Sequence, residues 1–188
     1  MDLTQEEKTI LLEAARKSIT LFFAGGEISE PDYKKYPVLK THSGAFVTLS
    51  EQGKLRGCIG FIISDKPLFK TVCEAAVNAA QNDPRFNPLS QDELSSVSIE
   101  ISVLSEPFPL KSYDEIEIGK HGLILEEKGR RGLLLPQVPV EHQMNKEQYL
   151  DAICLKSGFN AGYWREKQLK LSGFTAVVFS EKLLTKVE

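Results

Sequence analysis

Gly44-Ala45-Phe46-Val47-Thr48-Leu49-Ser50-Glu51-Gln52-Gly53-Lys54-Leu55-Arg56-Gly57-Cys58-Ile59-Gly60 is the stretch whose reading decides the fold. Gly44–Leu49 reads as a strand, Glu51-Gln52-Gly53 as a turn, and Lys54–Ile63 as a second strand, so the segment is a β-hairpin. Downstream, Val97, Ile99, Ile101 and Val103 alternate with Ser98, Glu100 and Ser102, the signature of a half-buried strand over Val97–Leu104. Pro107 and Pro109 then break the pattern. A second hairpin follows, with Gly122–Leu125 and Gly132–Leu135 flanking a basic turn, Lys128-Gly129-Arg130-Arg131. Phe174–Phe179 reads as a last strand.

Helices fill the gaps. Thr4-x-x-Glu7 is a capping box, and Ile10, Leu11, Ala14, Ala15, Ile19 and Phe22 recur at helical spacing, giving a helix from Thr4 to about Phe23 that Gly25-Gly26 ends. Pro67 starts another, with Leu68, Val72, Cys73, Ala75, Ala76, Ala79 and Ala80 on its inner face and Asp83-Pro84 as its stop. Ser90-x-x-Glu93 predicts a capping box on a short helix, and Asn145–Lys156 a helix ending at Gly158. Antiparallel hairpins mixed with helices, without a βαβ series, make the class α+β: a mostly antiparallel sheet with flanking helices.

The chain has 188 residues, 41% hydrophobic and 26% charged, values of an ordinary globular domain. A net charge of −3 gives no basic field for nucleic acid, and the aromatics show no interleaving with a basic stripe. No apolar run is long enough to span a membrane. The acidic start Met1-Asp2-Leu3-Thr4-Gln5-Glu6-Glu7 is unlike a signal peptide. Three cysteines, an odd number without paired spacing, suit a reducing compartment, so the expected location is cytoplasmic.

Chemistry concentrates at Leu55–Gly60. Strict alternation puts Arg56, Cys58 and Gly60 on one strand face, with residues two apart roughly 6–7 Å from each other. A cation near a thiol favours the thiolate, which is the nucleophile and the metal ligand. Gly57 and Gly60 mark where a ligand or another backbone comes close. The plain reading of the same residues is that Cys58 packs and Arg56 pairs with Glu100 or another carboxylate. Cys73 and Cys154 read as core. Asp83-Pro84-Arg85-Phe86-Asn87-Pro88 combines acid, base and aromatic in a rigid loop, whose plainer reading is a helix stop with an Asp–Arg pair. His121, at a strand start, is a candidate acid or base, and its plainer reading is surface decoration at a turn. Arg130-Arg131 reads as a solvated turn, and Trp164 as a core anchor or a site-lining residue. His42, His121 and His142 are scattered, and no metal or nucleotide motif is present.

The order of these segments resembles the AMMECR domain family across nearly the whole chain. The resemblance rests on Gly44–Leu49, on the hexapeptide Leu55-Arg56-Gly57-Cys58-Ile59-Gly60, and on Asp83-Pro84-Arg85-Phe86 with Pro88-Leu89. Ile99–Ser105, His121-Gly122-Leu123, Arg131-Gly132, Leu135-Pro136-Gln137-Val138 and Trp164 complete it. Phe61, where the family often has threonine or serine, and Met144, near its usual tryptophan, are departures. The resemblance implies one domain over residues 1–188 with two unequal lobes, the smaller at about 50–105, and a cleft near the hexapeptide. No reaction is attached to it. Its AmmeMemoRadiSam name implies a Memo-like protein and a radical SAM protein as partners, with an unknown small-molecule or peptide ligand and an unknown cofactor. Two roles follow. In the first, the chain is an enzyme or substrate-handling subunit, with Cys58, Arg56 and His121 catalytic. Gly57, Gly60, Asp83, Arg85, Glu100 and Trp164 then bind. In the second, it is a non-catalytic adaptor presenting a small anion or peptide.

Overall fold

The computed structural model describes residues 2–181 as two compact units. The first runs to Leu104 and resumes at Val177; the second is residues 105–176. Residues 50–104 thus belong to the first unit. In chain order it carries α1 (Gln5–Ala24), β1 (Ala45–Glu51), β2 (Lys54–Phe61), α2 (Leu68–Gln81) and β3 (Val97–Leu104). The second carries β4 (Phe108–Leu110), β5 (Gly122–Glu127), β6 (Arg130–Leu134), α3 (Val138–Glu141), α4 (Lys146–Lys156), α5 (Tyr163–Glu166) and β7 (Leu171–Phe174). The chain then enters β8 (Ala176–Ser180). The class is α+β, with two four-stranded sheets.

The first sheet has the order β2-β1-β3-β8. Gln52 and Gly53 both have positive φ, 49° and 81°, the backbone of a tight hairpin turn that matches strand twist. Ala45, Val47, Leu49, Ile99 and Ile101 are fully buried with Leu11, Ala15, Ile19, Val72, Ala75 and Ala76 of the two helices. α1 opens on the expected capping box: the Glu7 carboxylate accepts the Thr4 N–H at 2.8 Å, and Thr4 Oγ1 accepts the Glu7 N–H at 3.3 Å. The alanines of α2 let its backbone come so close to β2 that a Cβ at Gly57 would overlap the Ala79 carbonyl oxygen. The helix after Ser90 is a single 3-10 turn, Asp92–Ser95, with one arm of the predicted box: Glu93 accepts the Ser90 N–H at 2.9 Å.

The second sheet has the order β4-β7-β5-β6 and packs on α4 through Leu123, Leu125, Tyr149, Leu150 and Ile153. Asn145 caps α4 with Gln148 in a reciprocal pair. β3 ends at Leu104, ahead of Pro107 and Pro109 as expected, and Pro109 itself lies in β4, an edge strand that tolerates a missing N–H. Two expectations need correcting here. The hairpin turn is Lys128-Gly129 alone, with φ of 48° and 73°; Arg130 and Arg131 already belong to β6, opposite Glu127 and Glu126. The last strand is two strands in different sheets. Thr175 divides them, because its carbonyl accepts the Ser105 N–H and its N–H donates to Ser105 Oγ, both at 2.9 Å, so its backbone is drawn away from either ladder.

Candidate functional site

Since β2 is an edge strand, one side of its backbone has no strand partner. The loop after α2 covers that side at Cys58. The Cys58 N–H donates to Asp83 Oδ2 at 2.8 Å, and Arg85 Nη2 donates to the Cys58 carbonyl at 3.3 Å. Asp83 in turn grips Arg85 by Nε–Oδ1 at 2.9 Å and Nη2–Oδ2 at 2.7 Å, and accepts the Arg85 N–H at 3.1 Å. The Asp83 side chain is 2% exposed and that of Arg85 54%. A fork-to-fork pair of this kind fixes both orientation and charge. The Arg85 guanidinium holds the Asp83 carboxyl well below its ordinary range. Arg85 is itself held more firmly protonated, first by its hydrogen bonds to Asp83 and also by that carboxylate's charge.

Thr48 lies directly opposite Cys58 on β1, and Glu100 directly opposite Thr48 on β3. The three form a row on the sheet face turned away from α1 and α2. Cys58 turns its own N–H and carbonyl outward, so Thr48 and Cys58 make a non-hydrogen-bonded pair, the closer kind for side chains. The Thr48 hydroxyl donates to Cys58 Sγ at 3.3 Å. Hydroxyl donor and guanidinium are the two kinds of neighbour that support negative charge on sulfur.

The cation that alternation assigns to Cys58 is not the one found there. Leu49 pairs with Gly57 but Ser50 with Leu55, so Arg56 is the extra residue of a β-bulge and the alternation from Arg56 to Cys58 is interrupted. Its side chain, 15% exposed, pairs with Glu93 through Nε–Oε1 at 2.9 Å and Nη2–Oε2 at 3.1 Å. Its Nη1 donates to the Asn87 carbonyl at 3.0 Å. Arg56, and secondarily the Ser90 N–H, pull the Glu93 carboxyl down to about 2. Gly57 makes room for α2, and a Cβ at Gly60 would overlap the Ala45 carbonyl and Phe46. Both glycines therefore admit the protein's own backbone. Thr48 and Glu93 were not among the sequence candidates.

His121 and Trp164 belong to the second unit. His121 is buried, with the Glu115 carbonyl 3.1 Å and the Glu117 N–H 3.3 Å from Nδ1 and the Phe108 ring edge-on at 5.3 Å. Trp164 Nε1 donates to Asp151 Oδ1 at 2.7 Å, which also accepts the Gly162 N–H at 2.8 Å; Arg165 lies over the indole at 4.1 Å. The indole hydrogen bond is the main cause of a lowered Asp151 carboxyl. Asp151→Ala is expected to shift the emission of this single tryptophan and to destabilise the second unit by about 1–2 kcal/mol; unchanged emission would contradict that anchor. Burial pushes the Cys73 and Cys154 thiols up. Among the described residues, no three His, Cys, Asp or Glu side chains group as metal ligands, and no helix is long and apolar enough to cross a membrane.

Comparison with known proteins adds kinship. The AMMECR1 family profile matches residues 12–179. A protein of Methanopyrus kandleri is 41% identical over 191 aligned residues, covering 96% of this chain and 91% of its own. One from Methanosarcina mazei is 37% identical, covering 96% and 94%. The crystal structure of an uncharacterized protein from Pyrococcus horikoshii superposes with a TM-score of 0.83 at 36% identity, over 92% of this chain and 90% of that one.

Proposed function

The chain belongs to the AMMECR1 family, and from that premise we propose that it is a thiol-centred, substrate-handling protein in which Cys58 is the reacting group. The observation that carries the reading is the 3.3 Å hydrogen bond from Thr48 to a half-buried Cys58 Sγ whose backbone is clamped on both sides. A reacting sulfur needs a fixed position and partners for its charge, and Thr48, Asp83 and Arg85 supply them. Arg56 with Glu93 locks the bulge beside the site, a positioning role. The cytoplasmic setting and the Memo-like and radical SAM partners belong to the same proposal. The three free cysteines support the first and the family resemblance the second.

Residue-resolved alkylation by mass spectrometry tests it. At neutral pH, Cys58 is expected to react at least roughly tenfold faster than Cys73 and Cys154, whose burial raises both thiols. Thr48→Val, which removes the donor and keeps the shape, is expected to slow Cys58 by about threefold to tenfold, the worth of one hydrogen bond. If Cys58 reacts as slowly as Cys154, the thiol reading falls and presentation of a ligand without chemistry takes its place.

A further inference from the structure

Arg85 carries more capacity than the clamp uses. Its Nε and Nη2 are committed to Asp83 and to the Cys58 carbonyl, while Nη1 has no acceptor among the described residues. The side chain is 54% exposed, yet the guanidinium is not free to swing. Asp83, buried to 2% exposure, holds it in a fork, and the Phe86 ring lies 5.5 Å from its centre. A pre-oriented guanidinium with an outward donor edge is the arrangement that recognises carboxylate and phosphate groups. The other arginine of the region offers no such edge, being taken up by Glu93 and Asn87. Glu100 stands two strands away from Cys58 in the same row, about 10 Å off by strand spacing, on the far side of Thr48.

We infer that Arg85 is an anion seat: the molecule handled at Cys58 carries a carboxylate or phosphate group that docks on the outward edge of this guanidinium, beside the sulfur. The inference deepens the thiol reading and rests on it for the identity of the ligand, while the seat itself needs no reactive thiol. Asp83 neutralises the charge of Arg85 overall, so the seat works by directed N–H donors at short range and its preference is modest.

The test compares two alkylating reagents of like size, anionic iodoacetate and neutral iodoacetamide. The ratio of their rates at Cys58 is measured against the same ratio at glutathione in the same buffer. The seat predicts a ratio about threefold higher at Cys58, the scale of one partly exposed charge contact. It also predicts that inorganic phosphate slows iodoacetate more than iodoacetamide, and that Arg85→Gln removes both effects. A ratio equal to that of glutathione, untouched by phosphate, overturns the seat and leaves the thiol reading standing. If neither reagent modifies Cys58, the thiol reading is the one that fails. The seat is then decided by titrating Cys58→Ser protein with inorganic phosphate and following backbone amides by NMR. Saturable shifts at residues 58 and 85 support it, and their absence at tens of millimolar phosphate rejects it.

Discussion

Replacing Asp83 with alanine is expected to destabilise the first unit by about 2–3 kcal/mol, read as a lower urea midpoint at unchanged m-value. One carboxylate holds four donors: Cys58 N–H, Arg85 N–H, and Nε and Nη2 of Arg85. Removing one partner of a buried ion pair costs about 3–5 kcal/mol. Arg85 is half-exposed and regains water when its partner goes, which lowers the figure. Asp83→Asn separates the parts, because an amide oxygen still accepts the Cys58 N–H while the ion pair is lost, and an intermediate loss is expected. A loss under about 0.5 kcal/mol for the alanine variant would mean the clamp does not hold the strand. The same groups set an acid limit. Asp83 and Glu93 both titrate below their ordinary values of 3.8 and 4.5 in the folded protein, Glu93 at about 2. The unfolded chain therefore binds more protons in this window. The stability these groups contribute is complete above about pH 5 and drains away as pH falls through 4 toward 2. Asp83→Ala is expected to flatten that slope.

The site shows where reading a sequence succeeds and where it stops. Alternation located β1, β2 and β3 and put Cys58 on one face of its strand and Glu100 on the polar face of another, because a period of two is fixed by backbone geometry. The register was not legible. Counting back from the Gln52-Gly53 turn, Glu51 opposes Lys54 and Ser50 opposes Leu55, so unbroken pairing would set Thr48 against Gly57. One extra residue, Arg56, moves Cys58 there instead and hands Arg56 to Glu93. Nothing in Leu55–Gly60 announces a bulge, since its cause is distributed: Gly57 under Ala79, Glu93 across the loop, and the Asp83 clamp on the free edge. The acid and base in Asp83-Pro84-Arg85 were visible as a pair, but their attachment to Cys58 is a contact between residues 25 and 27 positions apart in the chain. The splitting of Phe174–Phe179 between two sheets was hidden for the same reason, because Ser105, which draws Thr175 aside, lies 70 residues upstream.

Gly57→Ala is expected to be, with Gly60→Ala, among the most damaging single-methyl changes at the site, at about 3 kcal/mol, the upper part of the range for overpacking a dense core. The added Cβ would meet the Ala79 carbonyl oxygen, which belongs to the α2 backbone, so no side chain can rotate out of the way. Either the helix or the strand must move. Moving α2 disturbs Val72, Ala75 and Ala76, all fully buried. Moving β2 lifts Cys58 away from Asp83 and from Thr48, so stability and Cys58 alkylation should change together. Gly129→Ala is the control: it sits at φ 73° in the Lys128-Gly129 turn with open space around it, and its cost is the backbone strain alone, about 1 kcal/mol. Equal losses from the two substitutions would show that the approach of α2 at position 57 costs no more than the strain of a left-handed turn, and would count against close helix packing as the reason for glycine there. A larger loss at Gly57, accompanied by slower Cys58 alkylation, would tie the position of the sulfur to the helix packed beneath it.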